Sequence, residues 1–292
     1  MTSSPALDSF VDRLIELSLD EDLGAAGDVT TSALVLDKRS GKAELWAKEE
    51  MVLSGLDVFA RVFHRVDALV RVRMLASDGQ RTRAKQKLAT LEGSMQALLV
   101  AERTALNLVQ RLSGIATAAA EAVAAVTGSK LKILDTRKTP PGMRSLAKRA
   151  VRHGGACNHR FGLFDGVLIK DNHIAAVGGS VTRALELAKQ NAPRLVKIEI
   201  EVTSLKQLQQ AIDGGAHIVM LDNMNDAQIA DAVALADGRV ELEVSGGVTL
   251  SRLHTLAKLG VDYVSMGALT HSARSMDLSL EIQTVKPSRR QK

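Results

Sequence analysis

Cysteine occurs once in the 292 residues, at Cys157, so no disulfide can form within the chain and burial with hydrogen bonding must hold the fold. Aromatic residues are scarce as well: five Phe, one Trp and one Tyr. That is too few for the stacking platforms on which single-stranded nucleic acid is held. No apolar run approaches the roughly 20 residues that crossing a bilayer requires. Residues 1–20 also lack the basic start and unbroken apolar stretch of a secretory signal. These absences predict a cytoplasmic protein with neither a nucleic-acid nor a membrane partner. With 46% hydrophobic and 24% charged residues, the composition is that of an ordinary globular chain, long enough for one large domain or two modest ones.

Charge is uneven. The stretch 135-DTRKTPPGMRSLAKRAVRHGGACNHR-160 holds seven Lys or Arg residues against one acid, a net +6, whereas the whole chain carries +5. The basic character is therefore local. A solvated helix face, a nucleic-acid patch and a pocket for an anionic substrate would each produce it.

The second half alternates short Val- and Ile-rich runs with helical patterns. The runs are 131–135, 166–171, 195–202, 216–222, 239–244 and 261–267; the helical stretches are 180–191, 204–215, 226–238 and 249–260. Each helix candidate opens on Ser, Thr or Asp, and three of the four end at Gly, as helix caps demand. Strand alternating with helix predicts a parallel sheet. Asp135, Lys170, Glu201, Asp222, Ser245 and Gly267 fall at or near successive strand ends, the last four spaced 21, 23 and 22 residues apart. An open sheet gathers ligands at one switch point, whereas a barrel turns every strand end toward one mouth. The fold class is therefore α/β: an open or incomplete barrel of six to seven parallel strands, occupying residues 113–292. A smaller α+β sandwich domain precedes it over residues 1–112, with a helix at 6–19, antiparallel strands in 41–57 and 67–80 turning at Asp78-Gly79, another strand in 82–93 and a helix over 95–112. An Ala-rich helix at 116–126 leads into the barrel, and 286–292 forms a basic tail.

At the mouth, Arg137 and Lys138 follow the first strand on a loop stiffened by Pro140 and Pro141; a solvated surface turn would look the same. Arg144, Lys148, Arg149 and Arg152 have helical spacing and suit a solvated face. His159 and Arg160 precede the next strand, and Lys170 ends it. Arg suits a two-pronged grip on carboxylate or phosphate. Lys170 is either an anion-binding ammonium, a Schiff-base nucleophile or structural. Glu199 and Glu201 share one strand face, directed at the mouth or interior. Glu201 and Asp222 could hold Mg²⁺ through oxygen and water ligands, stabilise a developing cation, or pair with the cationic loops. The glycine-rich loops 245-SGGVT-249 and 266-MGALTHS-272 follow the final two strands, where barrels often bind phosphate. Cys157 is most simply a small buried residue.

Several of these blocks together resemble the quinolinate phosphoribosyltransferase family. They are 21-EDLGAAGDVTT-31, 102-ERTALNLVQRLSGIAT-117, 135-DTRKTPPGMR-144, 154-GGACNHRFGLFDGVLIKDNH-173, 200-IEV-202, 220-MLDN-223, 245-SGG-247 and 265-SMGALTHS-272. The DTRKT and LIKDNH blocks are the most specific. The resemblance implies an N-terminal α/β sandwich, an open α/β barrel and a homodimer, with higher assembly left open. It implies transfer of phosphoribosyl from phosphoribosyl pyrophosphate to quinolinate with loss of CO₂, in NAD biosynthesis. Residue by residue, it places Arg137, His159, Arg160 and Lys170 around the two carboxylates of quinolinate, with Thr136 beside them and Lys138 between the two substrates. Glu201 and Asp222 would lie near the ribose and Mg²⁺. Ser245, Gly246, Gly247, Met266, Gly267 and Ala268 would cradle phosphate, and Arg103 would come from the neighbouring subunit. Pro140 departs from the Thr or Ala of many relatives and affects only loop shape. A transferase of the same fold acting on another base, and a Schiff-base aldolase using Lys170, are the alternatives.

Overall fold

The computed structural model describes residues 5–37 and 39–284; the basic tail at 286–292 lies outside them. The chain divides into two compact units, Met1–Ala118 with Pro140–Gly155 and Ala273–Lys292, and Ala119–Thr139 with Ala156–Ser272. In chain order the elements are α1 (Pro5–Leu23), α2 (Val29–Leu34), β1 (Ser40–Ala47), β2 (Met51–Val52), α3 (Leu56–Val66), β3 (Arg71–Met74), β4 (Arg81–Thr82), β5 (Lys87–Ser94), α4 (Met95–Ala125), β6 (Lys132–Leu134), α5 (Arg144–His153), β7 (Val167–Ile169), α6 (Asp171–Ala176), α7 (Val181–Asn191), β8 (Ile198–Val202), α8 (Leu205–Asp213), β9 (Ile218–Asp222), α9 (Asp226–Ala236), β10 (Glu241–Ser245), α10 (Leu250–Leu259), β11 (Tyr263–Ser265), α11 (Ala268–His271) and β12 (Leu278–Thr284). No described helix is long and apolar enough to cross a membrane.

The first unit is built on an antiparallel sheet ordered β12-β1-β5-β3. Alternation in β1 buries Gly41, Ala43, Leu45 and Ala47 on one face, the period-2 pattern of a half-covered strand. Two features depart from the sequence expectation. Helix α3 lies between the expected strands, and its N-terminus has no capping side chain of its own: Gly55 occupies the N-cap at φ 97°, and the Leu56 N–H is taken instead by Asp78 Oδ1 at 3.0 Å. A cap supplied 22 residues away carries no local signal. Second, the helices expected at 95–112 and 116–126 are one continuous helix of 31 residues. Gly114 marks no break in it; a Cβ there would overlap the Arg274 carbonyl, so glycine permits a close backbone approach. The expected dividing point at 112/113 falls inside α4.

The second unit is a six-stranded parallel sheet ordered β6-β11-β10-β9-β8-β7, in which the last strand returns to the first. This is the order of a barrel opened between β6 and β7, and the strand count is the lower of the two expected. Ser180, Ser204 and Asn225 cap α7, α8 and α9 by accepting a backbone N–H from the first turn. The cap of α9 is thus Asn225, one residue before the expected Asp.

The last described strand belongs to the first unit, not the barrel. β12 pairs antiparallel with β1 from Gly41↔Thr284 to Ala47↔Leu278 and buries Leu278 and Leu280. Its alternation was visible in the sequence, but its partner lies more than 200 residues upstream. Truncation after Met276 is therefore expected to destabilise the first unit by at least the roughly 2–5 kcal/mol of one lost core leucine. It would also expose β1 as an aggregation-prone edge. Thermal unfolding and soluble yield of the truncated chain test this, and an unchanged melting temperature would contradict it.

Candidate active site

In a parallel sheet, residues paired across neighbouring strands point to the same side. The pairings Glu199↔Ile218 and Glu201↔Met220, with Glu243↔Met220 and Ser245↔Asp222, put Glu199, Glu201, Asp222, Glu243 and Ser245 on one face. The opposite face carries Ile198, Ile200, Val202, Val219, Leu221, Leu242 and Val244, all buried. The apolar residues pack outward beneath helices and the acids point inward. Glu199 and Glu243 belong to β8 and β10, which are separated by β9, yet both approach one histidine ring, as inward-facing side chains of a closing sheet can.

That histidine is His159. Its Nδ1 accepts the Arg160 N–H at 2.7 Å, which leaves the ring proton on Nε2. Nε2 lies 3.0 Å from Glu199 Oε2 and 3.7 Å from Glu243 Oε2. Expected among the mouth residues, His159 instead turns into the barrel interior. With Arg160, Glu199, Glu243, Lys197 and Tyr263 it lines a cavity of about 250 Å³. The three donors lie within 4.8 Å of one another, but with its hydrogen on Nε2 the ring acts as a hydrogen-bond donor to the acids. Glu243 is pushed up to about 8, chiefly by burial and then by the charge of Glu199. Glu243 was not among the expected site residues. Its signal was present all the same, because 240-VELEV-244 repeats the alternation of 198-IEIEV-202.

The segment leading into His159 is fixed by Asp135, which is fully buried. Its carboxylate accepts Asn158 Nδ2 at 2.7 Å and the His159 N–H at 2.8 Å, while its own N–H bonds the Cys157 carbonyl. Cys157 is exposed, contrary to expectation: its backbone bridges to Leu134 at the edge of the sheet and its side chain faces outward. Asp135 thus anchors the segment leading to Arg160 to the loop carrying Thr136, Arg137 and Lys138. Within that loop Thr136 Oγ1 accepts the Lys138 N–H at 3.0 Å, and Thr270 Oγ1 donates to the Lys138 carbonyl at 2.7 Å.

Lys170, Glu201 and Asp222 lie at the C-terminal strand ends, whereas Arg160 packs beside Gly166, just before β7 begins. Arg160 donates to the Gly166 carbonyl at 3.0 Å. Its pKa is lowered from the ordinary value, first by burial and second by Arg137, against the pull of Glu199 and Asp165. A second positive charge near the Arg160 guanidinium is one that a bound anion would offset. Lys170 Nζ forms an ion pair with Glu201 Oε2 at 2.7 Å, and Asp222 Oδ2 accepts Asn223 Nδ2 at 2.8 Å. After β10, Gly246 and Gly247 both adopt positive φ, 93° and 58°. Thr249, at the N-cap of α10, makes no side-chain cap, and the Arg252 N–H donates to its carbonyl at 3.1 Å. After β11, Met266 is buried and Ala268 exposed. Gly267 lies where a Cβ would meet Lys138 Cδ at 2.9 Å and His271 Nε2 at 3.0 Å. His271, within 265-SMGALTHS-272 but outside the expected site, lies with Lys138 against Gly267; its signal was its position four residues after Gly267.

The basic stretch 135–160 divides between the units. Arg144, Lys148, Arg149 and Arg152 belong to the first, on α5. They are not a purely solvated face: Lys148 is buried, and Arg149 grips Asp57 through both nitrogens at 2.6 and 2.8 Å. Arg103 is exposed on α4, also in the first unit.

An open α/β barrel with cations and carboxylates converging at its strand ends defines an enzyme of phosphorylated or otherwise anionic substrates. Residues 28–113 match the N-terminal domain, and residues 115–281 the C-terminal domain, of quinolinate phosphoribosyl transferase. The chain is 43% identical over 262 residues to a probable nicotinate-nucleotide pyrophosphorylase [carboxylating] of Bacillus subtilis, covering 90% of each chain. It is 39% identical to quinolinate phosphoribosyltransferase [decarboxylating] 1 of Nicotiana glauca, over 93% of this chain and 82% of that one. A solved nicotinate-nucleotide pyrophosphorylase from Francisella tularensis superposes with a TM-score of 0.91 at 42% identity, covering 96% of this chain and 98% of that one. The chain belongs to the quinolinate phosphoribosyltransferase family.

The raised Glu243 carries a stability consequence. Between its ordinary 4.5 and about 8, the folded protein retains a proton that the unfolded chain releases, so stability falls as pH rises through that window. Glu243→Gln, neutral at every pH, is expected to flatten the decline in melting temperature from pH 5 to 8. An unchanged slope would mean that Glu243 is ionised in the folded state.

Proposed function

We propose that the protein transfers the phosphoribosyl group of phosphoribosyl pyrophosphate to quinolinate and releases CO₂ and pyrophosphate, forming nicotinate mononucleotide for NAD biosynthesis. The observation that carries this reading is that Lys170, Glu201 and Asp222 stand at the C-terminal ends of the adjacent strands β7, β8 and β9, with Arg137 on the loop after β6 and its charge felt by Arg160. A pyridine dicarboxylate answers the cations, and a ribose acquiring positive charge answers the acids.

Arg137, Arg160 and Lys170 bind the two carboxylates, with Thr136 beside them. His159 holds the Arg160 backbone from below, through its Nδ1 contact. Lys170, an ammonium with three donors, can reach a carboxylate of quinolinate from its place beside Glu201. Lys138 lies toward the pyrophosphate, and the loops Ser245–Gly247 and Met266–Ala268 present backbone N–H groups to phosphate. Glu201 and Asp222, both oxygen donors and both only partly buried, suit Mg²⁺, which commonly takes one or two carboxylates plus water and substrate phosphate. Bound there, Mg²⁺ supplies neutralisation of the pyrophosphate charge. The pyridine nitrogen forms its bond to the anomeric carbon as the carbon–pyrophosphate bond breaks, and Glu201 and Asp222 stabilise the positive ribose between. The pyridinium so formed takes up the electron pair left at C2 when CO₂ departs, and a proton delivered to C2 completes the product. No covalent nucleophile is needed. A Schiff-base role for Lys170 is disfavoured by its ion pair and its 46% side-chain exposure, since such lysines are activated by desolvation or a second cation.

Purified protein mixed with Mg²⁺, phosphoribosyl pyrophosphate and carboxyl-labelled quinolinate is expected to release one labelled CO₂ per pyrophosphate. Turnover of nicotinate without CO₂ would assign another base. Lys170→Ala should lower kcat/KM by about 10²-fold or more, the scale of one lost charge-stabilising group, with the fold retained.

Two copies of the chain form the active unit, with Arg103 reaching the partner's site. This rests on the family resemblance and on the exposure of Arg103. Arg103→Ala and Lys138→Ala proteins, each inactive alone, should regain activity after subunit exchange. Failure to do so in demonstrated heterodimers would place Arg103 in its own chain's site.

A further inference from the structure

We infer that Asn223 is a positioning residue that locks the Asp222 carboxylate to the glycine loop after β10, so that the ribose-facing acid and the phosphate-facing loop move as one piece. The inference rests on the reaction proposed above and concerns a residue to which that reaction assigns no part. Asn223 makes three contacts from one position. Its Nδ2 donates to Asp222 Oδ2 at 2.8 Å, fixing which oxygen of that carboxylate remains for a ligand. Its backbone N–H donates to the Ser245 carbonyl at 3.1 Å, continuing past the strand ends the Asp222↔Ser245 pairing of β9 and β10. Its side-chain amide fills the space beside Gly246: a Cβ there would overlap Asn223 Oδ1 and come within 2.7 Å of its Cγ.

The backbone fits this role. Asn223 has φ 54°, the left-handed region that Asn tolerates better than other residues with a Cβ. That turn folds the side chain back over Asp222 instead of letting it continue along the strand. Gly246, at φ 93°, completes the fit, since it alone has no Cβ to collide with the amide. The left-handed turn at Asn223 and the bare backbone at Gly246 are two halves of one contact.

Asn223→Gly keeps the left-handed backbone and the N–H bond to Ser245 while removing the amide. Asn223→Asp keeps size and turn preference but replaces the donor with a second negative charge beside Asp222. Both are expected to raise KM for phosphoribosyl pyrophosphate and the Mg²⁺ concentration at half-maximal rate, by about tenfold for a lost charge-assisted hydrogen bond. The aspartate should do so more severely, and KM for quinolinate should stay within about twofold. A purely structural role would lower the melting temperature without this selectivity. Equal losses for both substrates, or unchanged pyrophosphate-substrate parameters, would overturn the inference. Wild-type protein that released no labelled CO₂ would refute the proposed reaction instead; calorimetric binding of phosphoribosyl pyrophosphate with Mg²⁺ would then decide. Weaker binding by both variants supports the positioning role, and equal binding, or none by the wild type, refutes it.

Discussion

Everything at the site depends on the parity of the parallel strands. Because β8, β9 and β10 send their Ile, Val and Leu residues outward, every second residue must face the barrel interior, and there the chain has placed Glu199, Glu201, Asp222, Glu243 and Ser245. The apolar face is fixed by burial under the helices, and a one-residue slip would reverse both faces at once. Register and site are therefore one property. An isolated acid in such an interior would be costly. The cost is met differently at each depth: near the mouth by Lys170 and by hydration, deeper by His159 and by the proton retained on Glu243.

The depth gradient separates two roles that the sequence lumps together. Glu199 and Glu201 share a face and are two residues apart, yet Glu201 meets a half-exposed lysine while Glu199 is almost wholly buried against His159. The lower pair braces the segment that carries Arg160; the upper pair is an ion pair at the strand ends. Asp135 joins the two levels. Fully buried itself, it fixes His159 below and begins the loop bearing Arg137 and Lys138 above, so the cations inherit their placement from an acid that touches no ligand.

Much of this was legible in advance, for definite reasons. The βα rhythm, the strand ends and the cationic loop are local patterns, and local patterns survive in a single sequence. Helix α3 was missed because its cap, Asp78, is remote, and β12 because its partner is β1. The inward turn of His159 depends on Glu199 and Glu243 meeting across a curved sheet, a contact that no spacing encodes. The surface reading of Lys148 and Arg149 failed similarly: helical periodicity located them, but the acid that holds Arg149 is Asp57, 92 residues earlier.

The local excess of positive charge acquires its meaning from this division. Residues 135–160 are contiguous in sequence, but the chain leaves the barrel at Pro140 and returns at Ala156, so one charge run serves two units. In the first unit Arg149 is neutralised within the fold and contributes little outward field. In the second, the charge of Arg137 is felt by Arg160. Net charge counted along the sequence therefore overstates the field of the excursion and understates that of its ends. A repulsion maintained between two fixed guanidiniums remains favourable to relieve only while the anchor at Asp135 prevents them from moving apart. In the reaction proposed above, that anchoring would hold the two guanidiniums in place for a dianionic substrate.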